Sequence, residues 1–387
     1  VIAESTRPST GTPTITGAEI LDDIAAWFNH YLALPNDHAA PTVALWAAHT
    51  WRVTDFYVSP RLILSSAEPG SGKTRVLELL NLVCHFPRLT ISATAPALYR
   101  RIAASDDAGK LPPTILFDEV DAIFSKGGSP NHEDLRALLN SGYKRGSTVD
   151  RCKGDAKEMA VVEFPVYAPV ALAGLAGNMP ATITTRAVTI EMRRRGLGEK
   201  VAPFRERDAE AEAAPLRDDL AAWMGTIDGL DTARPAMPKG VEDRPAEVWE
   251  ALLAIADAAG GHWPDTARAA CQHFVLDTAD PRDTSLGIRL LADIHDILDG
   301  RDRIATDVLL NALRNLDEAP WGDLYGKPLT PRRLASELKR YGVRSGSVRL
   351  PDGTNRKGYT LDPTAESVGL QDAFNRFLTG VIPHDPK

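Results

Sequence analysis

A lysine and a threonine directly after two glycines carry the clearest chemistry in this chain. They close the stretch Arg61-Leu-Ile-Leu-Ser-Ser-Ala-Glu-Pro-Gly-Ser-Gly-Lys73-Thr74. Gly70 and Gly72 let the backbone curl so that successive N–H groups face a polyphosphate. Lys73 would reach the β- and γ-phosphates, and the Thr74 hydroxyl would sit on Mg²⁺. Glu68, Pro69, Gly70, Ser71, Gly72, Lys73, Thr74 and Arg75 are thus the candidate cradle for ATP, a Walker A motif. One position departs from G-x-x-x-x-G-K-[ST]: residue 67 is Ala. Its methyl group disfavours a left-handed backbone, so the loop is expected to enter at a different angle. Taken alone, the stretch also reads as a glycine-rich turn that binds nothing.

A second group of residues makes the phosphate reading stronger. Pro113-Thr-Ile-Leu-Phe-Asp118-Glu119-Val-Asp121 is an apolar run that ends in acids. Asp118 fits a Mg²⁺ ligand, because that ion takes one or two carboxylates plus substrate phosphates. Glu119 can orient and deprotonate an attacking water. Asn178, after the next apolar run, can hydrogen-bond the γ-phosphate or the water. The plainer readings are a strand-end pair of acids and a Gly-Asn-Met-Pro turn.

These groups need a scaffold that brings them together. Leu62–Leu64, Arg88–Ala93, Pro113–Phe117, Pro169–Gly174 and Ala187–Met192 read as strands. Helices are expected over Arg75–Cys84, from Thr94, and over Asn131–Lys144. Alternating strands and helices imply a parallel, doubly wound sheet, with ligands at the carboxyl ends of its strands. Residues 148–164 read as a hairpin with a Gly-Asp tip inside Lys153-Gly-Asp-Ala-Lys157. Upstream, residues 1–15 read as a flexible lead-in and 16–60 as N-terminal helices capped by Thr16. The core spans 61–198. Residues 199–240 form a charged helix, a lid, and a Gly/Pro-rich linker, and 241–318 a helical region.

Residues 319–387 change character. Thr330 caps a helix with Pro331 in its first turn, and two strand-like runs follow, a pattern resembling a winged helix. Nine cations oppose two acids between 327 and 361, a local charge of +7 in a chain of net charge −8. Nucleic-acid contact must therefore come from such local surfaces. Arg332, Arg333, Lys339, Arg340, Arg349, Arg356 and Lys357 are the candidate DNA contacts here. A merely solvated basic face remains the alternative.

At 387 residues the chain has room for two or three domains. Its three cysteines are far apart, without a C-x-x-C pair, which argues against a zinc site or disulfide framework and fits a reducing cytosol. No apolar stretch suits a membrane span, so a cytoplasmic protein with no membrane partner is expected. The first residue is Val rather than Met. Either the sequence is trimmed, with a domain missing upstream, or a GTG start is written as valine.

The ordered motifs Ala-Glu-Pro-Gly-Ser-Gly-Lys-Thr, Ile-Leu-Phe-Asp-Glu-Val-Asp, Leu-Ala-Gly-Leu-Ala-Gly-Asn-Met-Pro and Thr-Thr-Arg-Ala-Val-Thr-Ile resemble those of AAA+-type P-loop ATPases. Asp243 to Gly261, Pro320-Trp321 and Lys357-Gly-Tyr resemble a family of phage, plasmid and actinobacterial proteins. The defining domain of that family has no assigned function, and members are sometimes fused to primase or primase-polymerase domains. This resemblance runs from about residue 20. It implies an α/β, AAA+-like P-loop NTPase with a helical lid, a helical middle region and a C-terminal winged-helix-like domain. It makes Asn178 a sensor residue and Arg186 a finger reaching a neighbouring subunit, with Arg193, Arg194 and Arg195 as rivals. It makes Arg151, Lys153 and Lys157 cations of a channel hairpin that meets DNA. The implied partners are single-stranded or forked DNA, copies of the chain in a hexamer or other ring, and a primase or replication protein. The implied activity is an ATP-driven helicase, translocase or initiator. The alternatives are a nucleotide-dependent DNA-binding switch or loader, and a protein-remodelling or phage-defence ATPase.

Overall fold

The computed structural model describes residues 15–124, 130–155, 158–175, 179–196, 198–277, 286–316, 319–324, 327–350 and 353–378. The chain divides into two compact units, residues 1–275 and 276–387.

The first unit begins with a helix set by its cap. The Glu19 N–H donates to Thr16 Oγ1, and the Thr16 N–H donates back to Glu19 Oε2 at 2.8 Å. This reciprocal box starts α1 (Gly17–Tyr31). Ile20, Leu21, Ile24 and Phe28 form its buried stripe, spaced for one helical face. Helix α2 (Ala39–His49) is buried from Thr42 onward and packs on α1.

The buried His49 at its end predicts an acid response. Its Nε2 lies 3.0 Å from Ser59 Oγ, and its Nδ1 contacts the Trp46 carbonyl. A neutral ring satisfies both, donating at Nδ1 and accepting at Nε2. Burial pushes its pKa down to about 4, helped by the nearby Arg61. The unfolded chain then binds the extra proton first, below the ordinary value of about 6.5. Stability should be full above pH ~6.5 and fall as pH drops toward ~4, by on the order of 3 kcal/mol. Urea midpoints across this range, with His49→Gln alongside, check it. The variant should lose the acid slope; an unchanged slope would assign it to other groups.

Parallel strands form the centre of this unit. They are β1 (Arg61–Ser66), β2 (Pro87–Thr90), β3 (Thr114–Phe117), β6 (Val170–Leu175) and β7 (Ala187–Glu191). Their order is β2-β3-β6-β1-β7. Every residue of β1 and β3 is buried, as a sheet covered on both faces requires. Leu62 pairs with Ala171 on one side and Val188 on the other. Between the strands lie α3 (Lys73–Val83), α4 (Ala95–Asp107), α5 (Asp121–Phe124), α6 (Pro130–Ser141) and α7 (Ala181–Thr184). Thr94 caps α4.

Buried Arg61 pins the amino end of β1 without a carboxylate partner among the described residues. Its guanidinium donates to the Leu139 carbonyl at 3.1 Å and the Ala168 carbonyl at 2.6 Å. The hairpin β4 (Thr148–Asp155) and β5 (Glu158–Pro165) is antiparallel. Its tip differs from the expectation: Gly154 pairs with Met159 and Asp155 with Glu158, so the Gly-Asp dipeptide belongs to the ladder. The unit continues with α8 (Glu206–Thr226), α9 (Asp243–Ala259) and α10 (Trp263–Gln272).

Two other expectations change. Residues 199–205 are not helical, because the Ala202 N–H donates to the His30 carbonyl at 2.8 Å and Phe204 packs on Tyr31. Within 241–318, expected to be helical, the chain after α10 widens into a π-turn over His273–Asp277.

The second unit starts earlier than the expected boundary at 318/319. Helices α11 (Leu286–Leu298) and α12 (Thr306–Arg314) share one core with α13 (Pro331–Lys339) and α14 (Gly369–Phe377). Leu290, Ile294, Leu309, Leu334 and Leu338 meet there around Trp321. The Trp321 indole N–H donates to buried Asp293 Oδ2 at 2.6 Å. Strands β8 (Arg303–Ala305), β9 (Gly346–Arg349) and β10 (Asn355–Thr360) form an antiparallel sheet in the order β8-β10-β9. The segment before residue 319 therefore supplies half of the core beneath the basic helix. Among the described residues, no helix is long and apolar enough to cross a membrane.

Candidate nucleotide site

The parallel sheet places the glycine-rich loop at the carboxyl end of β1. Gly70 and Gly72 take left-handed backbones, φ 78° and 88°, where a side chain would be strained. Ala67 is absent from the left-handed region, so the departure at that position is absorbed without strain there. The Gly72 turn leads into α3, whose amino-terminal amides favour an anion.

Lys73 Nζ bonds to Ser66 Oγ and lies 3.3 Å from Ser71 Oγ. Burial lowers the Lys73 pKa, while Asp121 and then Asp118 pull it back up. The two acids therefore lie within the field of the ammonium. Sequence reading passed over Asp121, which accepts from the Leu175 N–H at 2.9 Å. The signal was its place in the Asp-Glu-Val-Asp run.

Backbone hydrogen bonds fix the acidic segment. The Asp118 N–H donates to the Thr90 carbonyl and the Val120 N–H to the Ala173 carbonyl, each at 3.0 Å. The segment is thereby held between the carboxyl ends of β2 and β6. Glu119 is exposed and left-handed, φ 55°, and its N–H bonds to Asp118 Oδ1 at 2.9 Å. A non-glycine residue there costs roughly 1–2 kcal/mol. Such strain clusters at functional positions.

A cavity of about 620 Å³ opens over the loop. Its lining brings together Gly70 to Thr74, the cations Arg193 to Arg195, and the apolar or aromatic Tyr31, Leu32, Ala33, Met192 and Val201. Lys73, Arg75 and the three later arginines face Glu78 as the carboxylate in this lining. The volume suits a nucleotide, and the excess of cations suits its phosphates. Arg75 pairs with Glu78 at 2.8 Å and lies 3.6 Å over the Phe204 ring. Tyr31 donates to Glu212 at 2.7 Å, tying the α1 wall to α8. Burial, then Glu212, raises the Tyr31 pKa to about 12. Sequence reading missed this wall, because residues 31–33 and 201 meet only in the fold.

The arginines separate by strand end. Arg186 precedes β7, and Arg193 follows it, so roughly 16 Å of extended chain lies between the two ends. Arg186 donates to the Thr182 carbonyl, and its guanidinium lies 5.0 Å from the Tyr143 ring. It is at the end of the sheet away from its own chain's loop, whereas Arg193 to Arg195 stand beside that loop.

The other candidates fall elsewhere. Asn178 and Lys157 lie outside the described residues, and Lys153 pairs through its backbone with Ala160. Arg151 is bonded to Asp134 at 3.3 Å and packs over Tyr99. In the second unit, Arg333 and Arg340 both hold buried Glu337, at 3.1 and 2.9 Å. Arg356 meets Asp307 at 3.4 Å. Arg332, Lys339, Arg349 and Lys357 are exposed, and no ion pair holds them among the described residues. Among the described residues, no three His, Cys, Asp or Glu side chains cluster to hold a metal unaided. The donor set of Thr74 and Asp118 nevertheless suits Mg²⁺, which draws further oxygens from phosphate and water.

Comparison with known proteins adds a family. The family described as "Protein of unknown function (DUF3631)" matches residues 191–377. The "Uncharacterized 28.9 kDa protein in xis 5'region" of Saccharopolyspora erythraea is 39% identical over 196 residues, which is 50% of this chain and 71% of that protein. Among solved structures, the A form apo structure of the NrS-1 C-terminal region gives a TM-score of 0.40 at 13% identity, covering 91% of this chain and 76% of that one. A second structure of that region gives 0.39 at 12%, covering 88% and 74%. Superposition at this level bears on neither fold nor function. By its match to the 28.9 kDa relative and to the family described over residues 191–377, the chain belongs to the DUF3631 family.

Proposed function

We propose that this chain is an ATP-hydrolysing motor acting on DNA, a helicase, translocase or replication initiator. The observation that carries the reading is the cation-lined cavity over Gly70–Thr74, after β1, with Asp118 and Glu119 after β3 at the same edge of the sheet, one strand (β6) away. In this reading the first unit is an AAA+-like P-loop ATPase. Loop amides and Lys73 hold the β- and γ-phosphates, and apolar side chains of the lining cover the base. Glu119 takes the proton of the attacking water. Thr74 and Asp118 would hold Mg²⁺, which when bound neutralises charge on the phosphate oxygens. Asn178 is assigned to the γ-phosphate or the water. Arg186 is assigned to a neighbouring copy in a ring, since its own loop is beyond reach.

The second unit reads as a winged helix. Its order of helix, strand, two helices and hairpin places cations on α13 and on both hairpin strands, the footprint of phosphate contact. One observation favours a switch or loader that does not unwind. Arg151, a cation of the β4–β5 hairpin, is paired with Asp134.

Phosphate release with and without single-stranded and forked DNA, beside strand displacement, tests the motor. DNA should raise turnover several-fold, and displacement should require ATP. Turnover indifferent to DNA would overturn the motor reading and leave an ATPase of another kind.

A further inference from the structure

The arginine tract after β7 has a specific relation to the phosphate loop. Glu191 pairs with Ser65, and the Met192 N–H donates to the Ser65 carbonyl at 2.6 Å. This register carries residues 193–195 over the loop of the same chain. Arg193 is taken by Glu199, at 2.7 Å. Arg194 instead reaches into the loop. Its Nε donates to the Pro69 carbonyl at 3.0 Å, and Nη2 lies 3.4 Å from Glu68 Oε2. A Cβ on Gly70 would lie 3.8 Å from that Nε, so the guanidinium rests on the loop backbone.

We infer that Arg194 binds the triphosphate within its own chain, and that Glu68 is the internal anion it exchanges for nucleotide. The inference rests on the nucleotide reading of the cavity and adds a residue to it. Both side chains of the pair are about two-thirds exposed. Solvent screening leaves such a pair weak, so it can be exchanged. Phosphate is the better partner: it carries more charge and accepts two parallel N–H bonds from a guanidinium. Once the phosphates are in place, the Glu68 carboxylate is a like charge beside them. Glu68 thus opposes binding twice, by occupying Arg194 and by repelling the ligand, and the first effect exists only while Arg194 is present.

A double-mutant cycle reads that difference. The full-length wild type, Arg194→Ala, Glu68→Gln and the double variant are titrated with Mg²⁺ and the non-hydrolysable analogue AMP-PNP. Lys73→Ala is included to test the cavity itself. Arg194→Ala should weaken binding roughly 10–100-fold, the scale of charge-assisted hydrogen bonds. Glu68→Gln should tighten it several-fold in the wild-type background, and the part of that gain owed to releasing Arg194 should vanish beside Arg194→Ala, leaving a smaller gain. An equal gain in both backgrounds, or weaker binding by Glu68→Gln alone, would overturn the exchange. If the wild type and Lys73→Ala both fail to bind, the nucleotide reading fails, and this inference falls with it. Binding that depends on Lys73 but not on Arg194 sinks the inference alone.

Discussion

Replacing Glu119 by glutamine should slow ATP hydrolysis by about 10²–10⁴-fold, the usual contribution of a positioned general base, with nucleotide affinity nearly intact. The amide keeps the size of the side chain but cannot accept the proton of the attacking water. Lys73, the loop amides and Arg193–Arg195 in the cavity lining are untouched, so the phosphates keep their contacts. The left-handed backbone at Glu119 does not demand a carboxylate. The substitution is therefore conservative in structure as well as in volume. Single-turnover phosphate release and equilibrium titration separate the two effects. A variant hydrolysing at the wild-type rate would remove Glu119 from the chemistry and point to another acid, such as Asp121 two residues on.

The second large effect concerns the C-terminal unit. Changing Arg332, Lys339 and Lys357 together to alanine should weaken DNA binding on the order of 10²–10³-fold at 0.1 M salt. The slope of log affinity against log salt should shrink by roughly 2.7, or ~0.9 for each phosphate left without its cation. These side chains are exposed and held by no ion pair among the described residues. Their removal should leave the thermal midpoint unchanged and act alike on all DNA sequences. Arg333 and Arg340 make poorer probes: they compensate buried Glu337, so removing them disturbs the helix as well as its charge. Wild-type affinity and an unchanged salt slope in the triple variant would refute the phosphate-binding role.

Local patterns were legible in the sequence. Thr16, Thr94 and Thr330 announce their helices through caps that form within four residues. The buried runs of β1 and β3 stand out because both faces of the sheet are covered. Less legible were features that depend on pairing across the fold. Arg303–Ala305 is too short to alternate, and it becomes a strand only by pairing with Tyr359 and its neighbours on β10. The unit boundary at 275/276 escaped for a related reason, since α11 and α12 resemble the helices before them and differ only in what they pack against. In the candidate site, the glycine-rich turn after β1 and the acids after β3 were readable as strand-end features from spacing. Register decided the rest: β7 lies beside β1, so Arg193–Arg195 and Arg186 emerge at opposite ends of the same strand.

Everything functional here depends on the cavity over Gly70–Thr74 accepting a magnesium-bound triphosphate. Calorimetric titration of the wild-type chain with Mg²⁺–AMP-PNP, repeated on Lys73→Ala, addresses that claim. Saturable binding to one site per chain, weakened roughly 10–100-fold when the ammonium is removed, is the expected outcome. Binding of equal strength by both proteins, or none by the wild type, would contradict it.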